Sequence, residues 1–269
     1  MECYVEHIAC HDNLKRDPKE LIPDAALRRR MSRVVKMAVS TAVESVGGVA
    51  GIDALDAILT ATGYGCLADS EKFLRNLIDT DEQLLTPTPF IQSTFNTVGG
   101  QIALLRHNRC YNLTYVNRSH SFEDALLDGL MRLTDGESQR ILLGAFDERI
   151  PSADRILARM GLGRRGALGE GATFMTLTSE ATADSVARIA RLDFPGEPLT
   201  AAECLARYGE EPTAELIYAV EGMRELYPTR TARLVAEAAS RLSAERREVI
   251  IYNALLGGAP TVILLRWVG

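Results

Sequence analysis

A strand, a sharp turn and a helix follow one another between Tyr111 and Leu133, and this unit limits the folds open to the chain. Tyr111–Val116 alternates enough to predict a strand, and Asn117–Ser119 predicts a turn. The residues after the turn place apolar side chains on one side of a helix: Phe122, Ala125, Leu126, Leu130 and Leu133. A short strand that turns directly into an amphipathic helix is typical of α/β folds.

Strands and helices are also predicted on both sides of this unit. The predicted strands are Glu2–Ala9 at a sheet edge, Ala54–Leu59, Gln139–Ala145, Ala172–Leu177, Glu248–Tyr252 and Thr261–Trp267. The predicted helices are one long helix from the Asp24 cap to Gly47, then Ser70–Ile78, Gln101–Arg106, Ala201–Tyr208, Thr213–Glu225 and Thr229–Arg241. Thr86–Pro89 is predicted as a rigid extended linker, because proline fixes its own φ and disfavours helix in the residue before it. Glycine-rich Gly161–Gly171 is predicted as a loop, and Gly257–Gly258 as a turn. This alternation predicts an α/β fold with a mixed sheet that is covered on both faces.

Composition excludes several classes of function. A net charge of −6 provides no basic field for nucleic acid, and no run of the chain reaches the roughly 20 apolar residues of a membrane helix. The five cysteines are scattered and form no CxxC pair, which argues against a disulfide framework and against a zinc site. We therefore expect a cytoplasmic protein with reduced thiols, no metal and no membrane insertion.

Six segments together carry a resemblance to a known family. They are Arg30–Ala38, Gly63–Phe73, Leu85–Val98, Tyr111–Val116, Ser119–Leu126 and Gly169–Ala172. In this order they resemble the thiolase-fold ketosynthase superfamily, in its short β-ketoacyl-synthase-like branch found with aryl polyene gene sets. The resemblance implies a layered α/β/α fold with a shortened second half. It also implies a single ketosynthase-like domain over residues 1–269, with a first half at 1–180 and a reduced second half at 181–269.

The chemistry of a condensing enzyme is missing from this pattern. The resemblance places Ser119 at the strand-to-helix turn where such enzymes carry a cysteine nucleophile, and a serine hydroxyl is a much poorer nucleophile without an adjacent base. Cys110 lies on the wrong side of the strand. The family also uses two histidines from its carboxy-terminal half, whereas all four histidines here lie at or before residue 120: His7, His11, His107 and His120.

The resemblance therefore implies a chain-length-factor subunit that is not an enzyme by itself. Such a subunit forms a heterodimer with an active β-ketoacyl-ACP synthase, which carries out the condensation on acyl carrier protein, and it shapes the acyl tunnel of that partner. Candidate tunnel and interface residues are Phe90, Gln92, Phe95 and Asn96. Phe90 and Phe95 offer bulk, while Gln92 and Asn96 fix the backbone that presents them; the two phenylalanines are equally compatible with a core role. No cofactor is implied.

Other interpretations remain open at this stage. A free-standing acyltransferase or thioesterase would use Ser119 or Cys66, with His120 as a base, although adjacent side chains after a turn usually point apart. The structural alternatives are that Ser119 caps the next helix with Glu123 nearby, and that Cys66 fills space in the core. A homodimeric scaffold is a third possibility. Arg164 and Arg165 are either solvated or contacts for acidic carrier protein.

Overall fold

The computed structural model describes residues 3–161, 169–219, 225–255 and 258–269. Nine strands lie in this part of the chain: β1 (Tyr4–Cys10), β2 (Ala57–Ala61), β3 (Tyr111–Tyr115), β4 (Arg140–Asp147), β5 (Gly171–Thr178), β6 (Ala187–Asp193), β7 (Glu215–Ala219), β8 (Glu248–Asn253) and β9 (Thr261–Arg266). The α-helices are α1 (Pro18–Leu21), α2 (Ala25–Arg30), α3 (Arg33–Ser45), α4 (Leu67–Asp79), α5 (Pro87–Ser93), α6 (Thr97–Leu104), α7 (Ser121–Thr134), α8 (Pro151–Arg159), α9 (Ala201–Tyr208) and α10 (Thr231–Arg241). Arg164, Arg165, Gly257 and most of the predicted Gly161–Gly171 loop lie outside the described residues.

The strands form one mixed sheet in the order β3-β2-β4-β5-β1-β6-β9-β8-β7. Strands β2, β3 and β4 are parallel, and so are β7 and β8, whereas the other neighbours run antiparallel. The two halves of the sheet meet through β1 and β6, where only two residue pairs are in register.

Side-chain alternation along the strands shows how the layers stack. On β4, Ile141 and Leu143 face one apolar cluster while Leu142 faces another. On β8, Ile251 faces the same cluster as Ile141, and Ile250 faces a third. The shared cluster also contains the apolar sides of α7 and α10, so these two helices lie between the halves of the sheet. Helix α3 covers the outer face of the first half and α9 that of the second.

The second half is shorter than the first in the described residues. It contains β6–β9 with α9 and α10, whereas the first half contains β1–β5 with eight α-helices. The predicted layered α/β architecture with a reduced second half is therefore confirmed.

Two predictions about the amino-terminal region were wrong. Strand β1 is not at a sheet edge but near its centre, paired with β5 and β6. The long helix is two helices, α2 and α3, because Met31 adopts an extended backbone and Ser32 starts α3. The Gln92 carboxamide fixes this break, since its Oε1 accepts a hydrogen bond from the Ser32 N–H and its Nε2 donates to the Arg30 carbonyl.

The predicted helix Thr213–Glu225 was also wrong. Its described part contains β7, which pairs in parallel with β8 and buries Ile217 and Ala219 in the central cluster. Residues 220–224 lie outside the described part of the chain. Helix propensity from alanine and glutamate was overridden here by burial against the sheet. Strand β6 and helix α8 were not predicted.

Candidate functional site

Ser119 lies where the strand-to-helix turn was predicted. After β3 the chain makes one 3-10 turn, Arg118–His120, and enters α7 at Ser121. Arg118 has a positive φ of 53°, which an L-residue adopts only in a tight turn. Ser119 is only 5% exposed, so the candidate nucleophile lies almost out of reach of solvent.

The side chains of Ser119 and His120 converge rather than diverge, contrary to our expectation. A Cβ on Gly258 would lie 2.3 Å from Ser119 Oγ and 3.2 Å from His120 Nε2, so the Gly258 backbone covers both. His120 Nε2 lies 2.7 Å from the Ala259 carbonyl oxygen. Because a carbonyl only accepts, Nε2 carries the proton of this bond and has no lone pair for Ser119.

Cys66 is a core residue and not a reactive thiol. It is completely buried at the start of α4, among the apolar residues under the outer face of the first half. Burial, together with the nearby carboxylates of Glu148 and Asp69, raises the pKa of the Cys66 thiol to about 12. The thiol pKa is likewise raised, chiefly by burial, at the other four cysteines: Cys3, Cys10, Cys110 and Cys204. At neutral pH no cysteine supplies the thiolate that attacks an acyl group.

A buried carboxylate joins the Arg118–His120 turn, which we call the nucleophile turn, to the second half of the sheet. Glu123, in the first turn of α7, accepts hydrogen bonds at Oε1 from Asn253 Nδ2 at 2.7 Å and from Thr261 Oγ1 at 3.0 Å. Burial raises the pKa of the Glu123 carboxyl, and these hydrogen bonds oppose that rise. The capping interpretation of Ser119 is therefore wrong, because Glu123 points inward and the residue at the N-cap of α7 is His120, which makes no side-chain cap.

Asp147 makes a second connection of this kind at the end of β4. Its Oδ1 accepts hydrogen bonds of 2.9 Å from the Thr62 hydroxyl and from the N–H groups of Gly63 and Tyr64. Its Oδ2 accepts from the N–H of Thr229 at 3.0 Å and from the hydroxyl of Thr229 at 2.8 Å. Burial raises the pKa of the Asp147 carboxyl, and the hydrogen bonds from Tyr64, Thr62 and Thr229 oppose that rise.

The two connections are arranged in a reciprocal way. Asp147, at the end of a first-half strand, binds the segment that leads into second-half helix α10, and Asn253, at the end of second-half strand β8, binds first-half helix α7. Sequence reasoning missed both connections. For Asp147 the available signal was a carboxylate at the end of an apolar strand, which is expensive to bury unless it is hydrogen-bonded.

The predicted tunnel residues lie on α5 and on the segment that joins it to α6. The extended linker predicted at Thr86–Pro89 was wrong, because Pro87 starts α5 at a position where its missing N–H costs no hydrogen bond. Phe90 is 54% exposed and contacts the Phe73 ring of α4, with 5.3 Å between centroids. Gln92 is buried in its contacts with the α2–α3 break.

Phe95 and Asn96 follow in the same segment. Phe95 is 47% exposed, and one edge of its ring lies against Gly65, where a Cβ would come within 2.6 Å of it. Gly65 has a φ of +69°, so glycine is favoured there by both backbone and space. Asn96 is exposed at the start of α6, without a side-chain cap. The structure thus brings Phe95 next to the loop after β2.

Gly169–Ala172 leads into β5, as the family motif implied. Glu170 forms an ion pair with Arg33 of α3 and also accepts a hydrogen bond from the Arg149 N–H at 2.9 Å. The Arg33 guanidinium holds the pKa of the Glu170 carboxyl below its usual range. This arrangement is structural, because both charged groups are paired within the chain.

One edge of the sheet is apolar and unpaired in the described residues. Strand β3 pairs only with β2, so the backbone N–H and C=O groups on its other side have no strand partner. Tyr111 and Leu113 of β3 are exposed, and so are Leu127 and Met131 of α7, the helix that packs against β3. We call these four residues the β3 edge surface. Single exposed apolar residues are ordinary, but a group beside an open strand edge marks a place where another chain can bind.

The described residues contain neither a cluster of metal-binding side chains nor a membrane-spanning helix. No group of three or more histidine, cysteine, aspartate or glutamate side chains there is placed to bind a metal ion. None of the helices described is both long enough and apolar enough to span a bilayer.

Comparison with known proteins identifies the family of this chain. The family model "Beta-ketoacyl synthase, N-terminal domain" matches residues 7–160. Solved structures of the thiolase-like ketosynthase fold match between 91% and 100% of the chain. The chain belongs to the β-ketoacyl synthase family.

Three solved structures illustrate the likeness of fold. The ishigamide ketosynthase/chain length factor has a TM-score of 0.74 and 14% identity, covering 100% of both chains. The ketosynthase ApeO in complex with its chain length factor ApeC from Xenorhabdus doucetiae has a TM-score of 0.65 and 12% identity, covering 99% of this chain and 100% of that one. AntDE:AntF, a type II PKS acyl-carrier protein in complex with its ketosynthase bound to the hexaketide, has a TM-score of 0.77 and 11% identity, covering 99% of both. No curated protein matches the sequence.

Proposed function

We propose that the chain is a non-catalytic, ketosynthase-like chain-length-factor subunit. It pairs with an active β-ketoacyl-ACP synthase in polyene synthesis of the aryl polyene type, in the cytoplasm, and shapes the acyl tunnel of that partner. The observation that carries this proposal is the closed nucleophile turn: a serine covered by Gly258 stands there, every thiol has a raised pKa, and no histidine follows residue 120.

The comparisons support a ketosynthase partner. Two of the three structures described above contain a ketosynthase together with a chain length factor, and the third contains a ketosynthase with acyl-carrier protein. A chain of the same fold without its own nucleophile fits the accessory position in such a pair. Carrier protein is accordingly a second partner in this proposal.

The β3 edge surface is the proposed contact with the partner. An open strand edge binds another strand through backbone hydrogen bonds, and the apolar side chains around it supply the buried area. When two edge strands pair about a pseudo-twofold axis, the dimer is closed, and neither of these strands keeps an unpaired edge. The absence of a β3 partner within the described residues is what supports this assignment.

The residues that would shape the tunnel are those of α5 and the segment after it. Phe90 and Phe95 present roughly half of their surface to solvent, so their rings are available to a partner subunit. Gln92 fixes the backbone that carries them by clamping the α2–α3 break, and Asn96 lies at the start of α6. We further propose that residues 1–269 act as one domain, which the apolar cluster shared by both halves of the sheet supports.

Co-expression with an active β-ketoacyl-ACP synthase of the aryl polyene type tests the proposal. We expect the two chains to co-elute on size exclusion as a heterodimer, and the pair to extend malonyl units on carrier protein while this chain alone does not. Mass spectrometry of the carrier-bound products is the readout. Elution of this chain only as a monomer, or only as a homodimer, in the presence of that ketosynthase would contradict the proposal.

The convergence of Ser119 and His120 on Gly258 is the one observation that favours a second function, that of a free-standing acyltransferase or thioesterase. Incubation of the purified chain with acyl-carrier thioesters separates the two functions. The proposed accessory role predicts no acyl adduct on Ser119 or Cys66 by intact-mass and peptide analysis. An adduct that disappears in Ser119→Ala would establish the second function instead.

Introducing a thiol at the turn is not expected to create a condensing enzyme. In Ser119→Cys the nucleophile atom is present, but the imidazole groups that assist decarboxylation are still missing after residue 120. We therefore expect no malonyl-dependent extension by this variant alone, measured by mass spectrometry of carrier-bound products. Wild-type chain is the matched control, and extension by the variant would show that the missing thiol is the only deficit.

A further inference from the structure

The carboxyl group of Glu123 lies in the interior of the protein without a charged partner. Its side chain is fully buried, in the first turn of α7, and it is directed toward the second half of the sheet. The hydrogen bonds from Asn253 and Thr261 both reach the same oxygen, Oε1. The other oxygen, Oε2, has no hydrogen-bond partner among the described residues. Half of this carboxyl group is therefore buried and unsatisfied.

A second unsatisfied group lies at the same place. Thr231 is the first residue of α10 and is fully buried, and its Oγ1 likewise has no partner in the described part of the chain. The Thr231 side chain is close enough to act on the Glu123 carboxyl group. Because a hydroxyl oxygen accepts a hydrogen bond as well as donating one, a proton on Glu123 Oε2 would join α7 to α10.

The charged groups around Glu123 are bonded elsewhere. Four of them belong to α7, to the turn before it or to elements that pack against it, and each has partners of its own: Arg230 with Glu225 and Glu237, His120 with the Ala259 carbonyl, Asp124 with Asn117, and Asp147 with Thr62 and Thr229. Strands β8 and β9 present only the neutral Asn253 and Thr261 to the carboxyl group. A buried carboxyl group with neither a countercharge nor a full set of donors is most stable as the neutral acid.

Asp147 provides the opposite arrangement at equal burial. Its two oxygens together accept five hydrogen bonds, so that donors point at both of them. An amide at this position would turn its NH2 group toward existing donors. An amide at Glu123 would keep the acceptor that Asn253 and Thr261 need and would turn its NH2 group toward the Thr231 hydroxyl. The same change from acid to amide therefore has opposite consequences at the two sites.

We propose that Glu123 is held as the neutral carboxylic acid and that it donates its proton to the Thr231 hydroxyl, so that the connection between α7 and α10 is linked to pH. An unfolded glutamate releases its proton above about pH 4.3, whereas the folded chain keeps it, so folding takes up a proton and becomes less favourable as the pH rises. The proposed function makes no use of this proton, and the test needs no partner subunit, so either proposal can fail without the other.

Urea unfolding of the full chain at several pH values tests the proposal. We expect the folding equilibrium constant of the wild type, divided by that of Glu123→Gln, to fall about tenfold for each pH unit between about pH 5 and about pH 7. The division removes the pH dependence of all other groups, and the amide variant should be the more stable protein at neutral pH. Asp147→Asn is the matched control, and it should lower the folding constant about tenfold or more over the whole range.

Three results would overturn the proposal. A ratio that stays constant above about pH 5 would mean that Glu123 is ionised in the folded chain. Failure of Glu123→Gln to fold would also contradict it, since the amide supplies the donor and the acceptor of the neutral acid. Thr261→Val is a second variant, which keeps the carboxyl group and removes one donor to Oε1. It should weaken folding by the same factor at about pH 5 and about pH 7, and a loss that grows with pH would indicate a carboxylate instead.

Discussion

Replacing Asp147 with leucine is expected to lower the free energy of unfolding by about 3–5 kcal/mol. The Asp147 carboxylate is fully buried and accepts five hydrogen bonds, three from the loop after β2 and two from Thr229. Leucine has a similar size but accepts none, so three buried and two partly buried donors would lose their partner. Urea denaturation followed by circular dichroism gives the change.

The matched control is an aspartate whose ion pair is exposed. Asp53 binds Arg106 at the surface, and both side chains are about half exposed. Surface pairs contribute little because water screens them, so Asp53→Leu should cost less than about 1 kcal/mol. If Asp147→Leu fails to fold, Thr229→Val removes one of the five donors and should cost about 1–2 kcal/mol. A cost at Asp147 no larger than at Asp53 would contradict the connecting role.

This prediction also bears on the nucleophile turn. The loop after β2 lies beside the turn, because the Ser121 hydroxyl donates to the Thr62 carbonyl at 2.9 Å. Thr62 in turn donates to Asp147. A hydrogen-bonded path therefore leads from second-half Thr229 through Asp147 to the start of α7. Loss of Asp147 should loosen the arrangement that closes Ser119.

The sequence predicted local elements better than their places in the sheet. Helix α9 agrees with its prediction at both ends, and its start can be read from residue types alone, because Thr200 and Glu203 form a capping box. Strand β1 was predicted as a strand but placed at an edge, since the partners of a strand lie far away in sequence. The β7 segment failed for a related reason: five residues are too few to show a period, and contact with β8 decides their conformation.

In the candidate site, too, local features were predicted and long-range contacts were not. The turn at Ser119 and the segment that carries Phe90 and Phe95 were both identified from sequence motifs. The cover that Gly258 provides over Ser119 and the hydrogen bond between Glu123 and Asn253 were not predicted, because they join residues more than a hundred positions apart. Only a fold that brings the two halves together creates them, and no local pattern records that contact.

Placing a lysine at Leu113 is expected to weaken the proposed heterodimer by about 100-fold or more. Leu113 lies in the middle of β3, on the face that also carries exposed Tyr111 beside α7. Pairing of β3 with a partner strand would bury this side chain, and a buried, unpaired ammonium group is costly. Co-elution on size exclusion and titration of the purified ketosynthase measure the loss.

Leu205 provides the matched control for this experiment. It is 38% exposed on α9, on the outer face of the second half, whereas Leu113 is 39% exposed. Leu205→Lys therefore makes the same chemical change at the same exposure, away from the β3 edge, and should leave the heterodimer intact. Since both positions are solvent-facing in the single chain, neither variant should unfold it, and urea denaturation verifies this point. Unchanged affinity in Leu113→Lys would contradict the β3 edge surface as the contact. Co-elution would still be compatible with a heterodimer formed through α5, where Phe90→Lys would then be the disrupting change.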